Sequence, residues 1–210
     1  MTLRDLCVSD HPLVATKLAI VRAQATAPDE FRRNLQELAQ LLFADASRSF
    51  EVAPVEIETP LQSCTGAVLA RAIALVPILR AGLGMLDGIL RLVPDANIGH
   101  IGIYRDEETL KPVSYFSRVP VNLAQSETLL LDPMLATGNS ACEAISIVKA
   151  AGATHIRLLC VVACPTGIQQ LHSEHPDVPI ITAAVDPSLD SRGYIVPGLG
   201  DAGDRYFGTG

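Results

Sequence analysis

The sequence lacks the features that mark several common functional classes. Basic residues are not in excess: 16 lysines and arginines stand against 23 acidic residues, which gives a net charge of −7 at neutral pH. A surface that binds nucleic acid needs a basic face, so this balance argues against a nucleic-acid partner. Long apolar runs are also missing, since stretches such as residues 73–79 are far shorter than a membrane span. The N-terminal segment MTLRDLCVSD has no signal-peptide core, and we therefore expect a cytoplasmic protein without a membrane partner.

Paired cysteines are missing as well. The five cysteines form no CxxC pair, and no histidine accompanies them at metal-ligand spacing. Free thiols in a reducing compartment are the simplest interpretation. Cys160 and Cys164 lie four residues apart in a predicted strand, so we expect both to face one side of a sheet and to pack in the core.

The chain also has no repeat, low-complexity tract or linker. Residues 1–210 are therefore predicted to form a single domain. The composition, 49% hydrophobic and 19% charged, is globular and slightly apolar for a monomer. We interpret this excess of apolar residues as an indication of a homo-oligomer, a dimer or higher.

What is present is a pattern of short apolar runs that alternate with helical stretches. Continuous Ile/Val/Leu runs separated by helices are typical of parallel strands covered on both faces. The predicted fold class is α/β, a parallel twisted sheet flanked by helices, with two N-terminal packing helices. Residues 105–124 are charged and aromatic, and we expect them to form a mobile arm, or hood, over the end of the sheet. The predicted elements after the first two helices are residues 73–79, 85–92, 98–104, 128–131, 141–151, 156–163, 167–174 and 180–185.

The segment LLLDPMLATGNSA, residues 129–141, has the composition of a phosphate cradle. An apolar strand ends at Asp132, and a loop of small residues leads into a predicted helix. Gly138 lets the backbone approach a ligand, Thr137 and Ser140 offer hydroxyl groups, and the helix presents unpaired N–H groups. An ordinary strand-to-helix turn with Ser140 as the N-cap is the alternative that these residues alone leave open.

A second segment, VPILRAGLGMLDGIL at residues 76–90, follows the same logic. Arg80 stands at a predicted strand end, and the two glycines that follow are expected to expose backbone N–H groups beside its guanidinium. This arrangement favours a second anion site at the carboxyl edge of the sheet. Taken alone, Arg80 could equally form an ion pair at a tight turn.

The glycine-rich tail matches the spacing GxGxxG at Gly198, Gly200 and Gly203. A dinucleotide fingerprint needs a strand before it, a helix after it and an acidic residue about 20 positions later. Only seven residues follow Gly203, so that interpretation fails. We expect a loop whose amides and carbonyls bind a flat polar ligand, with Asp201 and Asp204 available to a hydroxyl or a metal. A plain C-terminal turn is the alternative.

Together these segments resemble the uracil phosphoribosyltransferase family, within the type I phosphoribosyltransferases. The resemblance includes the two loops above, the segment YRDEETLKPV from Tyr104, HPDVPI from His175 and GYIVPGLGDAGDRYFGT from Gly193, and it spans about residues 10–209. It implies the type I fold and the transfer of phosphoribose from 5-phosphoribosyl 1-diphosphate (PRPP) to N1 of uracil, which yields UMP and diphosphate in pyrimidine salvage. It also implies Mg²⁺, held mainly through PRPP and without a firm protein ligand. Some members of the family are activated by GTP, but no residue here assigns such a site.

The resemblance also implies roles for individual residues. Arg80 and Arg105 match diphosphate ligands, and Asp201 matches a residue that reaches PRPP as well as uracil. Asp132, Arg105 and Asp201 are the expected catalytic residues, and the arm is expected to bring Arg105 over the site. The uracil pocket is matched by Ile195, Gly200, Asp201 and Ala202. The loop that holds the 5′-phosphate and ribose is matched by Asp132, Pro133, Met134, Leu135, Ala136, Thr137, Gly138, Asn139 and Ser140.

One departure and three competing functions accompany this resemblance. Asn139 stands where the family commonly has glycine, and we expect it to accept the left-handed conformation that glycine would adopt. The competing functions are a non-catalytic sensor of uracil, UMP or PRPP, an enzyme of the same fold that takes another base, and a dinucleotide oxidoreductase. A sensor would need a separate output surface, such as a basic face for RNA, and the acidic balance gives it none.

Overall fold

The computed structural model describes residues 6–105 and 112–209, with the backbone alone for Arg105 and Pro112. The part of the predicted arm from 106 to 111 lies outside the described residues. No helix within these ranges combines the length and the apolarity needed to cross a bilayer. In chain order the elements are β1 (Leu6–Val8), α1 (Pro12–Arg22), α2 (Pro28–Ala46), β2 (Val52–Glu58), β3 (Ser63–Leu69), β4 (Ala72–Leu79), α3 (Leu83–Leu90), β5 (Asn97–Ile98), β6 (His100–Arg105), β7 (Pro112–Arg118), β8 (Ser126–Leu131), β9 (Met134–Leu135), α4 (Asn139–Ala150), β10 (His155–Ala163), α5 (Pro165–Glu174), β11 (Ile180–Val185), β12 (Ser188–Leu189), β13 (Ile195–Val196) and α6 (Ala202–Phe207).

The main sheet confirms the predicted α/β class. Its strands follow the order β1-β11-β10-β8-β4-β6-β7, with the short strands β5 and β9 paired to β4 and β10. Every pairing in it is parallel except the last, because β6 and β7 form an antiparallel hairpin. That hairpin occupies the first part of the predicted arm. The carboxyl ends of β4, β8 and β10 therefore meet at one edge of the sheet, where ligands of open α/β sheets bind.

Two apolar layers cover the sheet. Helices α1, α2, α3 and α6 pack on one face, and α4 and α5 pack on the other. Successive side chains of β8 point to opposite faces of the sheet, so Leu129 and Leu131 pack in the first layer and Leu130 packs in the second. All six residues of β8 are buried, which explains why its sequence is continuously apolar at its carboxyl end.

An irregularity in β10 overturns the prediction that Cys160 and Cys164 face the same side of the sheet. Cys160 packs in the layer with α4 and α5, whereas Cys164 packs in the opposite layer. The amides of Val161 and Val162 both donate to the carbonyl of Pro133, at 3.0 and 3.1 Å. Val161 and Val162 both pack in the layer with α1 and α2, so the alternation of side chains reverses after Val161 although the register with β9 and β11 does not change. Both cysteines are buried and unpaired, so the core-packing part of the prediction is confirmed.

The hairpin of β2 and β3 is an element that the hydrophobic pattern did not predict. Within residues 6–105 and 112–209 its strands pair only with each other, from Val52 opposite Leu69 to Glu58 opposite Ser63. Most of its residues are exposed, including several large apolar ones. A hairpin without a packed face is marginally stable in water on its own. The exposed apolar side chains are Val52, Ile57, Leu61, Val68 and Leu69.

Candidate active site

The predicted phosphate cradle lies at the carboxyl end of β8 and is fixed to β10. The amide of Asp132 donates to Leu159 O at 3.1 Å, and the carbonyl of Pro133 accepts from the amides of Val161 and Val162 in β10. Gly138 then adopts the left-handed conformation, with φ 88°, as the N-cap of α4. The cradle is therefore held by backbone hydrogen bonds on one side and by a helix start on the other.

One detail of the cradle differs from the alternative that the sequence left open, and another differs from the expectation for Asn139. Ser140 is not the N-cap, because Gly138 occupies that position and α4 begins at Asn139. Asn139 is therefore helical, and the left-handed residue is its neighbour. The first hydrogen bond into the helix runs from Cys142 N to Gly138 O at 2.9 Å, so the amides of the turn before it have no partner within the helix. Such amides, at the positive end of the helix dipole, form an anion site.

A second glycine, Gly167, supports the cradle from behind. A Cβ on Gly167, in the first turn of α5, would lie 2.6 Å from Ala136 O and 2.8 Å from Leu135 O. A Cβ on Gly138 would in turn lie 2.9 Å from Gly167 O. The loop and the start of α5 therefore fit together only where both residues lack side chains. Gly167 was missed from the sequence because a glycine in a helical stretch carries no local sign of the backbone that it approaches.

Two cavities open at this edge and share part of their walls. The smaller, about 90 Å³, is lined by the cradle from Asp132 to Ala141. The larger, about 230 Å³, shares Asp132, Met134 and Ala136 with it and extends toward the tail. Together they form one channel that is long enough for a ligand to contact both the cradle and the tail. The remaining residues that line the larger cavity are Ala81, Gly193, Tyr194, Gly200, Asp201, Ala202 and Gly203.

The Arg80 turn lies at the same edge, although its glycines act differently from the prediction. A Cβ on Gly82 would lie 2.2 Å from Leu131 O, and the amide of Gly82 already donates to Ile78 O at 2.9 Å. Gly82 therefore allows close packing between strand ends and does not offer its N–H to an anion. Arg80 itself is half exposed and forms an ion pair with Asp204, with Nη2 and Oδ1 3.2 Å apart. The Arg80 guanidinium is therefore accessible to solvent, as an anion site requires, and it also forms the ion pair at a turn that the alternative interpretation predicted.

The tail loop forms the far wall of the larger cavity. Gly200, Asp201 and Ala202 line it, as the resemblance implies, whereas Ile195 is buried in the core beside it. Tyr194 lines the cavity too and was not singled out from the sequence. Asp201 caps α6, because its Oδ1 accepts the amide of Asp204 at 2.9 Å. The helix begins inside the GxGxxG spacing and not after it, which is incompatible with a dinucleotide fingerprint.

Asp132 is the electrostatically unusual residue of the channel. Burial raises the pKa of its carboxyl group from 3.8 to about 7, although the amide of Met134 partly lowers it by donating to Oδ1 at 3.3 Å. A carboxylate in such a place gains from any cation that enters the cavity. Perturbed carboxyl groups in clefts are typical of functional sites.

The structure brings most of the predicted residues together. Arg80, Asp132, Asp201 and the cradle all lie at the carboxyl edge of the sheet. The backbone of Arg105 ends β6, whereas its side chain lies outside the described residues. A role for Arg105, and closure of the arm, stay predictions.

Comparison with solved structures defines the class of protein. The structure of AQ2163 protein from Aquifex aeolicus superposes with a TM-score of 0.92 at 35% identity, over 97% of this chain and 98% of that one. An adenine phosphoribosyltransferase from Trypanosoma brucei, solved with AMP, pyrophosphate and ribose-5-phosphate, gives a TM-score of 0.59 at 13% identity, over 86% and 84% of the two chains. The fold is that of the type I phosphoribosyltransferases.

Sequence comparison then defines the family. The family described as uracil phosphoribosyltransferase matches residues 8–209. Uracil phosphoribosyltransferase of Paracoccus denitrificans is 52% identical over 210 residues, which is 100% of both chains. The enzyme of the same name from Clostridium tetani is 52% identical over 200 residues, 95% of this chain and 96% of that one. The chain belongs to the uracil phosphoribosyltransferase family, as its motifs predicted.

Proposed function

We propose that this protein transfers the phosphoribosyl group of PRPP to N1 of uracil, yielding UMP and diphosphate. The observation that carries the proposal is the shared channel: the cradle, the Arg80 turn and the tail loop all line it. A phosphorylated sugar with a diphosphate at one carbon and a base beside it needs these three contacts at once. Family membership supports the choice of uracil as the base.

The cradle is the proposed site of the 5′-phosphate and ribose. Amides of residues 136–140 would donate to phosphate oxygens, together with the hydroxyl groups of Thr137 and Ser140. Asp132 stands between the two cavities and is placed to accept hydrogen bonds from the ribose 2′- and 3′-hydroxyl groups. This arrangement binds a monoester phosphate without a lysine.

The diphosphate is proposed to lie by Arg80, whose guanidinium can donate to two oxygens at once. Arg105 is proposed as a second donor. Asp201 and Asp204 carry the carboxylate oxygens that Mg²⁺ prefers. One or two carboxylates plus substrate oxygens form a usual Mg²⁺ site, so these residues fit an ion that binds mainly through PRPP. Bound there, Mg²⁺ would neutralise charge on the departing diphosphate.

Uracil is proposed to lie against the tail loop. The backbone at Gly200, Asp201 and Ala202 can donate an N–H to O4 and accept from N3–H. Cytosine carries the opposite groups at these two positions. Each mismatch leaves a buried polar group unpaired, at a cost of about 1 to 3 kcal/mol. The loop therefore favours uracil over cytosine without a charged side chain.

The chemical step is proposed to pass through a ribosyl centre with oxocarbenium character. Departure of diphosphate leaves positive charge on the ring, and the carboxylate of Asp132 is placed to stabilise it. Arg80 stabilises the charge that develops on the leaving group. No covalent nucleophile is required, because N1 of uracil forms the bond to C1′ as the C1′–O bond to diphosphate breaks, and the N1 proton passes to the departing diphosphate. The channel holds both reactants in line and limits the access of water.

The protein is proposed to act as a homo-oligomer in the cytoplasm. The exposed apolar residues of the β2–β3 hairpin form a surface of the kind that marks protein contacts, and a second copy of the chain would cover it. The five cysteines are all free, which suits a reducing compartment.

The test is uracil-dependent release of diphosphate from PRPP, measured with and without Mg²⁺. We expect stoichiometric UMP and diphosphate with uracil and Mg²⁺, and little product with cytosine, xanthine or nicotinamide. Turnover with another base and not with uracil would refute the assignment of the substrate. Binding of uracil or PRPP without any turnover would refute the assignment as an enzyme and favour a sensor.

A further inference from the structure

A buried ion pair connects the first helix to the tail of the chain. Arg22, the last residue of α1, donates from Nη1 and Nη2 to the two carboxylate oxygens of Asp186, at 2.8 and 2.7 Å. The Asp186 side chain is only 7% exposed and that of Arg22 22%. A two-point contact of this kind fixes the guanidinium in the plane of the carboxylate.

The same pair holds the backbone of Gly198 at both of its polar groups. The amide of Gly198 donates to Asp186 Oδ2 at 2.9 Å, and its carbonyl accepts from Arg22 Nη1 at 2.8 Å. Gly198 has φ 57°, and a Cβ there would lie 2.1 Å from Ile195 O. The peptide groups around Gly198 are thus fixed by the ion pair and by a sharp local turn.

Gly198 lies two residues before Gly200, where the tail loop begins to line the larger cavity. Neither Arg22 nor Asp186 lines that cavity. Any influence of the pair on a ligand must therefore pass through the backbone of the loop. A backbone that recognises a flat base needs its N–H and C=O groups in fixed directions, because a small displacement weakens both hydrogen bonds.

We propose that Arg22 and Asp186 are positioning residues that set the direction of the base-recognising backbone. This inference rests on the proposed uracil pocket. It predicts that a weakened pair raises the KM for uracil and reduces discrimination against cytosine, while the KM for PRPP changes little. The cradle that binds PRPP is fixed independently, by β10 and α5.

The main variant is R22K. Lysine keeps the positive charge but carries a compact ammonium without the planar fork of arginine, so it cannot reproduce the two-point contact and the bond to Gly198 in one geometry. We expect the KM for uracil to rise about tenfold, the equivalent of one lost hydrogen bond. The KM for PRPP is expected to stay within about twofold, since hydrogen bonds far from a variant keep their geometry.

The chain offers a matched control at the opposite end of the sheet. Arg157 forms an ion pair with Glu127, whose side chain is also 7% exposed and which is the second residue of β8, at the end of that strand opposite the channel. R157K makes the same chemical change in a similarly buried pair. We expect R157K to lower thermal stability and to leave both KM values unchanged.

A double variant covers the case in which R22K does not fold. R22M combined with D186L removes both charges together, so no unpaired charge stays buried. We expect it to fold and to show the same selective rise in the KM for uracil. An unchanged KM for uracil in a folded R22K or double variant would overturn the inference, as would an equal rise for both substrates. Absence of uracil turnover in the unaltered protein would instead refute the proposed function.

Discussion

Asp132→Asn is expected to make the protein more stable while it disables the proposed reaction. The folded protein raises the pKa of the Asp132 carboxyl group to about 7, whereas in the unfolded chain its value is about 3.9. Between these values the folded state retains a proton that the unfolded state releases. Unfolding therefore becomes easier as the pH rises through this window. Asparagine has no such proton and escapes the effect.

The size of the effect follows from linkage. Each pH unit between about 4 and 7 lowers the stability by about 1.4 kcal/mol, so the full window amounts to about 4 kcal/mol. Asp132 is partly open to the cavity, and hydration of its carboxylate there makes this figure a ceiling. We expect Asp132→Asn to match the unaltered protein near pH 4 and to exceed its stability by about 1 to 4 kcal/mol at pH 8.

The assay is urea unfolding of both proteins between pH 4 and 8.5, without ligands. Asp177→Asn is a control of opposite sign, because a hydrogen bond from Lys149 lowers the pKa of Asp177. That variant should lose stability at neutral pH, and the loss should disappear in acid. A stability difference for Asp132→Asn that does not grow between pH 4 and 7 would refute the electrostatic reasoning. Loss of diphosphate release in the same variant tests the catalytic role separately.

Three further predictions concern the other parts of the channel and the hairpin. Gly167→Ala should raise the KM for PRPP, because the added Cβ would displace the carbonyl of Ala136 in the cradle. Gly152→Ala is the control: Gly152 has φ 96°, but a Cβ there would meet no atom closer than 3.9 Å, so this variant should affect only stability. Arg80→Ala should lower kcat/KM for PRPP by about 100-fold, the cost of a lost charged hydrogen bond of about 3 kcal/mol, and leave equilibrium binding of uracil unchanged. Val68→Asp should shift the assembly toward monomers in light scattering, unlike Val121→Asp at a more exposed position outside the hairpin.

The central sheet was predictable because parallel strands buried on both faces have continuous apolar sequences. The predicted strand at residues 180–185 matches β11, and the one at residues 128–131 lacks only the first two residues of β8. Those two are Ser126 and Glu127, both buried. Glu127 is tolerated there because Arg71 and Arg157 pair with it. Partners so distant in sequence cannot be inferred from a local pattern.

The β2–β3 hairpin escaped prediction for a different reason. Its side chains have no core to face, so its sequence shows no clean alternation of buried and exposed positions. Pro54 in one strand and Gly66 in the other further weaken the strand pattern. A surface that is shaped by contact with another molecule carries this kind of ambiguous signal.

The sequence predicted which segments form the candidate site, but it did not predict the atomic contacts between those segments. Glycines marked each turn correctly, but the sequence could not say that Gly82 makes room for Leu131 O or that Gly167 makes room for Ala136 O. These contacts join residues that are brought together only by the sheet. The irregularity in β10 is similar, because there the carbonyl of Pro133 accepts two amides from a neighbouring strand.

The placement of Asp132 connects stability with the proposed chemistry. In the free protein its carboxylate is disfavoured, because the walls of the cavity replace water without supplying an opposite charge. In the proposed reaction, a ribose ring that loses diphosphate would supply that charge at the moment of reaction. The interaction is therefore weak before bond cleavage and strongest at the transition state, which is the condition for an interaction to accelerate a reaction. A more stable protein with asparagine at this position would lose that difference.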